Sequence, residues 1–208
     1  MKLVSQSFAD GARIPGEFAF AVPDPKSHVA LSSNRNPHLA WSDAPPNVKS
    51  FALICHDPDA PSVGDDVNQA GKIVADSLPR AEFIHWVLFD LPANVSEIAA
   101  GACSSAVTPC GKSGATTLYG ARQGINDYTG WFATDNDMKG EYYGYDGPCP
   151  PWNDARVHRY VFTLYALDVE KLFPASPLTA TALRQAMAGY VLASASITGL
   201  YTLNPALA

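Results

Sequence analysis

Two carboxylates set between prolines, Asp57-Pro58-Asp59-Ala60-Pro61, and two histidines beside apolar runs, His85 and His158, are the groups in this sequence best suited to chemistry. Proline fixes φ and supplies no donor, so the backbone around Asp57 and Asp59 is largely set before any tertiary contact forms. A carboxylate on a stiff segment meets a ligand as a prepared group. Imidazoles can donate N–H bonds to an anion, and the hydroxyl of Tyr160, two residues beyond His158, adds another donor. Asp57 can accept the hydroxyl of a monoprotonated phosphate or orient an imidazole through its second nitrogen. A carboxylate repels a dianion, so the singly protonated species is preferred. With histidines as donors, affinity is expected to rise towards mildly acidic pH. Charge-assisted bonds contribute about 1.5–3 kcal/mol each, and against the entropy of association they predict weak binding, micromolar to millimolar.

Convergence of these groups depends on the elements that carry them. Phe51-Ala52-Leu53-Ile54-Cys55 has the composition of a buried strand, which the Asp57 turn is expected to stop abruptly. Residues 83–91, FIHWVLFDL, are nearly continuous apolar and aromatic, as in a strand covered on both faces, with His85 inside it. Residues 159–167 form a third strand that begins just after His158, with Tyr160, Phe162 and Leu164 on one face and Val161, Thr163 and Tyr165 on the other. If these three strands are neighbours, carboxylate and imidazoles meet at one end of a sheet. Taken singly, Asp and Pro are ordinary turn residues, and a histidine in an apolar strand is most often a core residue satisfied by one hydrogen bond. The stretch Gly147-Pro148-Cys149-Pro150-Pro151 reads as a rigid wall with few backbone donors, or as a proline-rich surface loop, and Gly147 permits close approach or positive φ.

Shorter strands are expected at residues 17–21 and 38–42, a turn at 43–47, and a polar loop at 64–72. Residues 101–147 are rich in Gly, Asn, Asp and Tyr with little periodicity, and so long an irregular segment is usually functional or interfacial. Leu183, Ala186, Met187, Tyr190 and Val191 fall on one helical stripe, with Thr179 or Thr181 as N-cap, and residues 197–203 read as a final strand. Mostly strands with one late helix predict a mainly β protein: a two-sheet antiparallel β-sandwich with a C-terminal amphipathic helix, one domain over residues 1–208.

Composition narrows the function. In 208 residues, 47% are hydrophobic and only 16% charged, which supplies ample core and argues against disorder. The net charge of −6, with no block of Lys or Arg, disfavours nucleic acid and docking on an anionic membrane. The first ten residues have no apolar core of signal-peptide length and no run approaches a membrane span, so the expectation is a soluble, cytoplasmic protein. Cysteines 55, 103, 110 and 149 are then expected to be reduced, Cys55 in the core. There is no phosphate loop, nucleophile elbow or metalloprotease histidine pair, hence no catalytic motif and no cofactor. His28 looks incidental, and His38 is expected to be exposed.

Two enzymatic alternatives follow from the same residues. Asp57, His85 and His158 can ligate a divalent metal with an open position, as in a metal-dependent hydrolase. Cys149, near His158 in sequence, invites nucleophilic catalysis, although its flanking prolines argue for structure.

The ordered set Asp57-Pro58-Asp59-Ala60-Pro61, His85-Trp86 in a strand ending Phe89-Asp90-Leu91-Pro92, Gly147-Pro148-Cys149-Pro150-Pro151, and His158-Arg159-Tyr160 resembles the phosphatidylethanolamine-binding protein family. It is most similar to the bacterial, Raf-kinase-inhibitor-like branch, over about residues 15–204. The resemblance implies a β-sandwich with a small anion pocket at one end, lined by Asp57, His85, His158 and Tyr160. Asp59 and the loop residues Gly147, Pro148, Pro150 and Pro151 would form its wall. The implied ligand is phosphate or a phosphoryl head group. The implied role is regulatory, with a kinase or protease as protein partner, because relatives regulate kinases or inhibit proteases. Three departures stand out: Phe83 where many relatives carry tryptophan, His56 at a usually apolar or hydroxylated position, and a longer, aromatic segment 127–143. Those aromatic rings serve either as a contact surface, including a homodimer interface, or as a cover for the sandwich edge.

Overall fold

The computed structural model describes residues 1–112, 114 and 119–207. Part of the irregular stretch expected at 101–147, namely 113 and 115–118, lies outside the described residues. The strands are β1 (Lys2–Val4), β2 (Ala21–Asp24), β3 (His28–Leu31), β4 (Leu39–Ser42), β5 (Ser50–Pro61), β6 (Arg80–Pro92), β7 (Glu97–Ile98), β8 (Arg122–Gln123), β9 (His158–Leu167) and β10 (Val191–Tyr201). Two helices, α1 (Tyr128–Trp131) and α2 (Ala180–Met187), and a 3-10 turn at Gly16–Phe18 complete the described elements. Antiparallel pairing builds a five-stranded sheet in the order β10-β9-β5-β6-β8, a three-stranded sheet β1-β4-β7, and the hairpin β2-β3.

The apolar runs form the central strands because both faces of the larger sheet are covered. Phe51, Leu53, Trp86, Leu88, Phe162 and Leu164 share one core with Leu39, Trp41 and Ile98 of the smaller sheet. On the opposite face Ala52, Ile54, Val87 and Phe89 lie under Leu183 and Met187 of α2. The chain is thus a mainly β, antiparallel sandwich with a late helix. Thr179 caps α2, its hydroxyl accepting from the Ala182 N–H at 3.2 Å. Among the described residues no helix is long and apolar enough to cross a membrane.

Several local expectations are corrected. The Asp57 segment does not end its strand, because β5 runs on to Pro61. Its pairing with β9 ends at His56, so the prolines face no acceptor on that side, and pairing with β6 skips Pro58 and Asp59. A proline is tolerated where no ladder donor is required. The strand expected at 17–21 is instead a 3-10 turn at Gly16–Phe18, whose neighbours bond to loops: the Phe20 N–H donates to Pro148 O at 2.9 Å and the Asn34 N–H to Ala19 O at 3.1 Å. The helical stripe stops at Met187, since Gly189 turns the chain at φ 86°. Tyr190 and Val191 therefore leave the helix exposed, and β10 starts at Val191 rather than at 197. His38 is buried, with Nδ1 accepting from the Gln6 N–H at 3.1 Å. His28 stacks on Trp152, ring centroids 3.8 Å apart. All four cysteines are free, with Cys55 buried in the core.

Candidate functional site

β5, β6 and β9 lie side by side, so the residues they carry meet. Asp57, His85, His158 and Tyr160 all line one cavity of about 360 Å³, together with Pro150 and Pro151. Two irregularities in the β5–β6 ladder aim them there. Cys55 pairs with Trp86 but His56 pairs with Ile84, so the register skips His85. His85 and Trp86 consequently look to the same side, His85 into the cavity and Trp86 into the core, while Ile84 turns to the face covered by α2. The second shift follows Asp57, which pairs with Phe83 before Ala60 pairs with Ala81. Bulges of this kind re-aim side chains next to binding sites.

His158 sits in the most heavily charged part of the floor. Its Nδ1–H donates to Asp57 Oδ2 at 2.7 Å and its Nε2–H to Asp154 Oδ2 at 3.0 Å. Burial opposes the charge, but the bonds to Asp154 and Asp57 overcome it and hold the imidazolium pKa up at about 9. Asp154 is completed by Arg80, whose two terminal nitrogens donate at 2.6 and 3.1 Å, and by the Arg156 N–H at 2.9 Å. Asp57 Oδ1 accepts from the Asp59 N–H at 2.7 Å. The chain Asp57–His158–Asp154–Arg80 is thus a closed, charge-balanced row in which His158 has no N–H and no lone pair to offer a ligand.

His85 is the opposite case. Its Nδ1 lies 2.8 Å from the Asp146 carbonyl, which can only accept, so Nδ1 carries the proton. Burial pushes its pKa down, and the ring is neutral near pH 7. Nε2 then holds a lone pair and, among the described residues, has no hydrogen-bond partner. Asp146 is itself pinned by Asn34 at 2.7 Å, Lys112 at 2.8 Å and Asn126 at 2.9 Å. The Tyr160 ring packs edge-on to His85 at 5.0 Å, and its hydroxyl is buried and, among the described residues, without a partner. Burial also pushes the Tyr160 pKa well up, so the hydroxyl keeps its proton.

Three expected wall residues stand elsewhere. Asp59 turns away from the cavity to Arg159, which reaches it through Nε at 2.8 Å, the second guanidinium nitrogen at 2.9 Å and the backbone N–H at 3.0 Å. Burial works against the Asp59 charge, but these bonds hold its carboxyl below the ordinary range. Gly147 and Pro148 lie behind the wall: Gly147 N–H donates to Asn34 Oδ1 at 2.8 Å, and Pro148 O receives the Phe20 N–H at 2.9 Å. Close approach explains the glycine, since a Cβ at 147 would stand 2.2 Å from Phe18 O. His56 does not line the cavity, and Phe83 does.

Sequence reasoning missed Asp154 and Asp146. Asp154 is four residues before His158, and the chain brings that acid directly onto the ring. The aromatic segment, left open between contact surface and edge cover, divides: Tyr128, Tyr142 and Tyr145 are buried, Phe132 and Tyr143 half-buried and Trp131 exposed, while most of the polar residues between them are exposed. Tyr128, Trp131 and Phe132 form one wall of the cavity. His158 has both nitrogens committed, and among the described residues no group of three His, Cys, Asp or Glu side chains could hold a metal. Cys149 lines the cavity, but burial pushes its thiol up to about 12, so little thiolate exists to act as nucleophile.

The phosphatidylethanolamine-binding protein profile matches residues 4–202. A UPF0098 protein of Chlamydia muridarum is 35% identical over 201 residues, covering 97% of this chain and 98% of that protein. UPF0098 protein YbhB of Escherichia coli is 30% identical over 203 residues, covering 97% of this chain and all of its own length. Among solved structures, the putative phosphatidylethanolamine-binding protein homolog CT736 of Chlamydia trachomatis superposes with a TM-score of 0.63 at 30% identity, covering 96% of this chain and 95% of that one. YbcL of Escherichia coli, described as a member of the mammalian PEBP family, gives 0.67 at 26% identity, covering 97% of each chain. A profile match across nearly all of this sequence and full-length relatives above 30% identity lead to one conclusion: the chain belongs to the phosphatidylethanolamine-binding protein family.

Proposed function

We propose that this protein is a non-catalytic binding protein that takes a singly protonated phosphoryl group, free or on a small head group, at the floor of the cavity. The observation that carries the reading is the pairing of an unpartnered, buried Tyr160 hydroxyl with the open Nε2 of His85. A buried hydroxyl without a partner costs about 1–3 kcal/mol, which a ligand acceptor recovers. The phosphoryl hydroxyl donates to Nε2 and a second phosphoryl oxygen accepts from Tyr160. Asp57 is balanced by His158, so the lone pair on His85 Nε2 sets the requirement for a protonated guest. No side chain at the floor supplies an activated nucleophile, so binding without turnover is the simplest use of the site.

Titrating inorganic phosphate and phosphoethanolamine while following the ring nitrogens of His85 by NMR tests this. Nε2 is expected to move towards an imidazolium-like position, and Tyr160→Phe to weaken binding about tenfold or more. Binding is expected to strengthen as pH falls from 8 to 6. A His85 signal unmoved at tens of millimolar ligand ends the reading.

A further inference from the structure

The five-stranded sheet has two unequal edges. β8 is two residues long and carries the charge of Arg122, whereas β10 runs for eleven residues. In an antiparallel ladder successive residues turn their backbone groups alternately to the two sides. Thr198 and Leu200 turn theirs away from β9, to the N-terminal segment 10–14. Thr198 O accepts the Gly11 N–H at 2.7 Å, and the Thr198 N–H donates to Asp10 Oδ1 at 2.9 Å. The Leu200 N–H donates to Ala12 O, and Leu200 O accepts the Ile14 N–H, both at 2.9 Å. Ser194 and Ser196 continue the same alternation, opposite Tyr165 and Thr163, so their N–H and C=O groups also point outwards, and among the described residues nothing meets them. Proteins blunt such an edge with charges, a proline or a short strand. Here no charged side chain follows Arg184 in the sequence, and no proline stands in β10. Just before the open groups, Tyr190, Val191 and Leu192 are 44%, 44% and 40% exposed, the one run of three consecutive residues among the exposed large apolar side chains of the described residues.

We infer that this edge binds a second copy of the chain, the two β10 strands pairing antiparallel about a twofold axis at Ser194 and joining two five-stranded sheets into one. Ser194 of each copy exchanges N–H···O bonds with Ser194 of the other, and Ser196 faces Leu192. The two ends of the open stretch select a copy over an unrelated strand. At one end, segment 10–14 already occupies the edge from Thr198 onwards. At the other, the chain leaves the line of the sheet through a register shift between Val191 and Ala193 and a turn at Gly189, φ 86°. A longer partner strand would run into segment 10–14. About this axis Tyr190 of one copy comes opposite Thr198 of the other, so the turn of each clears segment 10–14 of its mate. Charge favours the same arrangement: copies of net charge −6 repel one another, and least along a strand that carries no charge. Pairing over about five residues, with three apolar side chains covered on each copy, falls short of the roughly 1,200–2,000 Å² of stable interfaces, so a weak dimer is expected, with a Kd of about 10–300 µM. No residue of β10 lines the cavity, so pairing at this edge is independent of phosphoryl binding.

Analytical ultracentrifugation of the full chain under reducing conditions, from about 5 µM to about 1 mM, tests this. The mass is expected to rise from monomer towards dimer and to stop there, because a twofold contact closes on itself. Amide hydrogen exchange at Ser194 and Ser196 is expected to slow about threefold or more over the same range. Ser194→Lys sets two ammonium groups face to face at the axis, and Ser194→Pro removes an outward N–H that the ladder with β9 does not use. Each is expected to weaken association at least about tenfold with the far-ultraviolet circular dichroism unchanged, whereas Trp131→Ala, in the aromatic segment, is expected to leave association as it was. A monomer at about 1 mM, growth beyond the dimer, exchange at Ser194 and Ser196 that ignores concentration, or a dimer that survives Ser194→Lys would each overturn the inference. The exchange measurement needs no variant, so it decides even if a substituted strand fails to fold.

Discussion

At the scale of single residues, the site is governed by two histidines in opposite electrical states. His158 lies between two carboxylates and is a fixed cation, and His85, buried against a carbonyl, is a neutral ring with one lone pair. The two leave opposite marks on stability. The folded pKa of His158, about 9, lies above its ordinary 6.5, so its contribution is complete below about pH 6.5 and is lost as pH rises through 9. His85 has a lowered pKa in the fold, so it begins to cost stability as pH falls below its ordinary value. Urea unfolding at pH 5, 7 and 9.5 is expected to show the greatest stability at the middle value, with a loss of order 1–3 kcal/mol on the alkaline side. Asp59 separates structure from binding. Asp59→Ala is expected to destabilise by about 1–3 kcal/mol through loss of the Arg159 bonds, yet to change phosphate affinity by less than about threefold, measured by urea titration and calorimetry.

At the scale of elements, the binding groups owe their directions to departures from regular pairing. A perfect ladder would place Ile84 and Trp86 on one face, with His85 on the other, under α2. The skipped residue in β6 reverses that and gives the cavity its imidazole. The strap at 147–148 then closes the wall from behind by lying flush on residues 18–20. Gly147→Ala forces its Cβ against Phe18 O, so a destabilisation of about 1–3 kcal/mol is expected by thermal or urea unfolding, together with weaker phosphate binding as the wall shifts. The three main strands, the loops at 43–47 and 64–72 and the cap at Thr179 were legible in the sequence, because alternation, turn residues and caps are local signals. The turn at Gly16–Phe18 was not. Phe18 and Phe20 are both buried as an alternating strand would have them, but the Phe18 N–H closes a local turn on Pro15 O and the Phe20 N–H goes to the distant loop at Pro148.

At the scale of the whole molecule, one core joins both sheets, so the smaller sheet and the hairpin carrying Val29 and Leu31 are expected to unfold with the rest. Far-ultraviolet circular dichroism and tryptophan fluorescence are expected to report one coincident urea transition. Leu53→Ala, at the centre of that core, is expected to lower the midpoint of both signals alike, for a destabilisation of about 2–5 kcal/mol.

The residue types and their order along the chain were enough to determine a mainly β sandwich, its late helix, and the meeting of Asp57, His85, His158 and Tyr160. The sandwich and the helix follow from hydrophobic periodicity, and the meeting of the four residues was implied by the motifs that carry the family resemblance. What each group can do there was decided only by tertiary structure. Asp154 and Arg80 make His158 a committed cation, the carbonyl of Asp146 makes His85 an acceptor, and Arg159 draws Asp59 away from the cavity. Protonation state and side-chain direction depend on partners far away in sequence and on a one-residue slip between strands. Neither leaves a mark in the local pattern of residues.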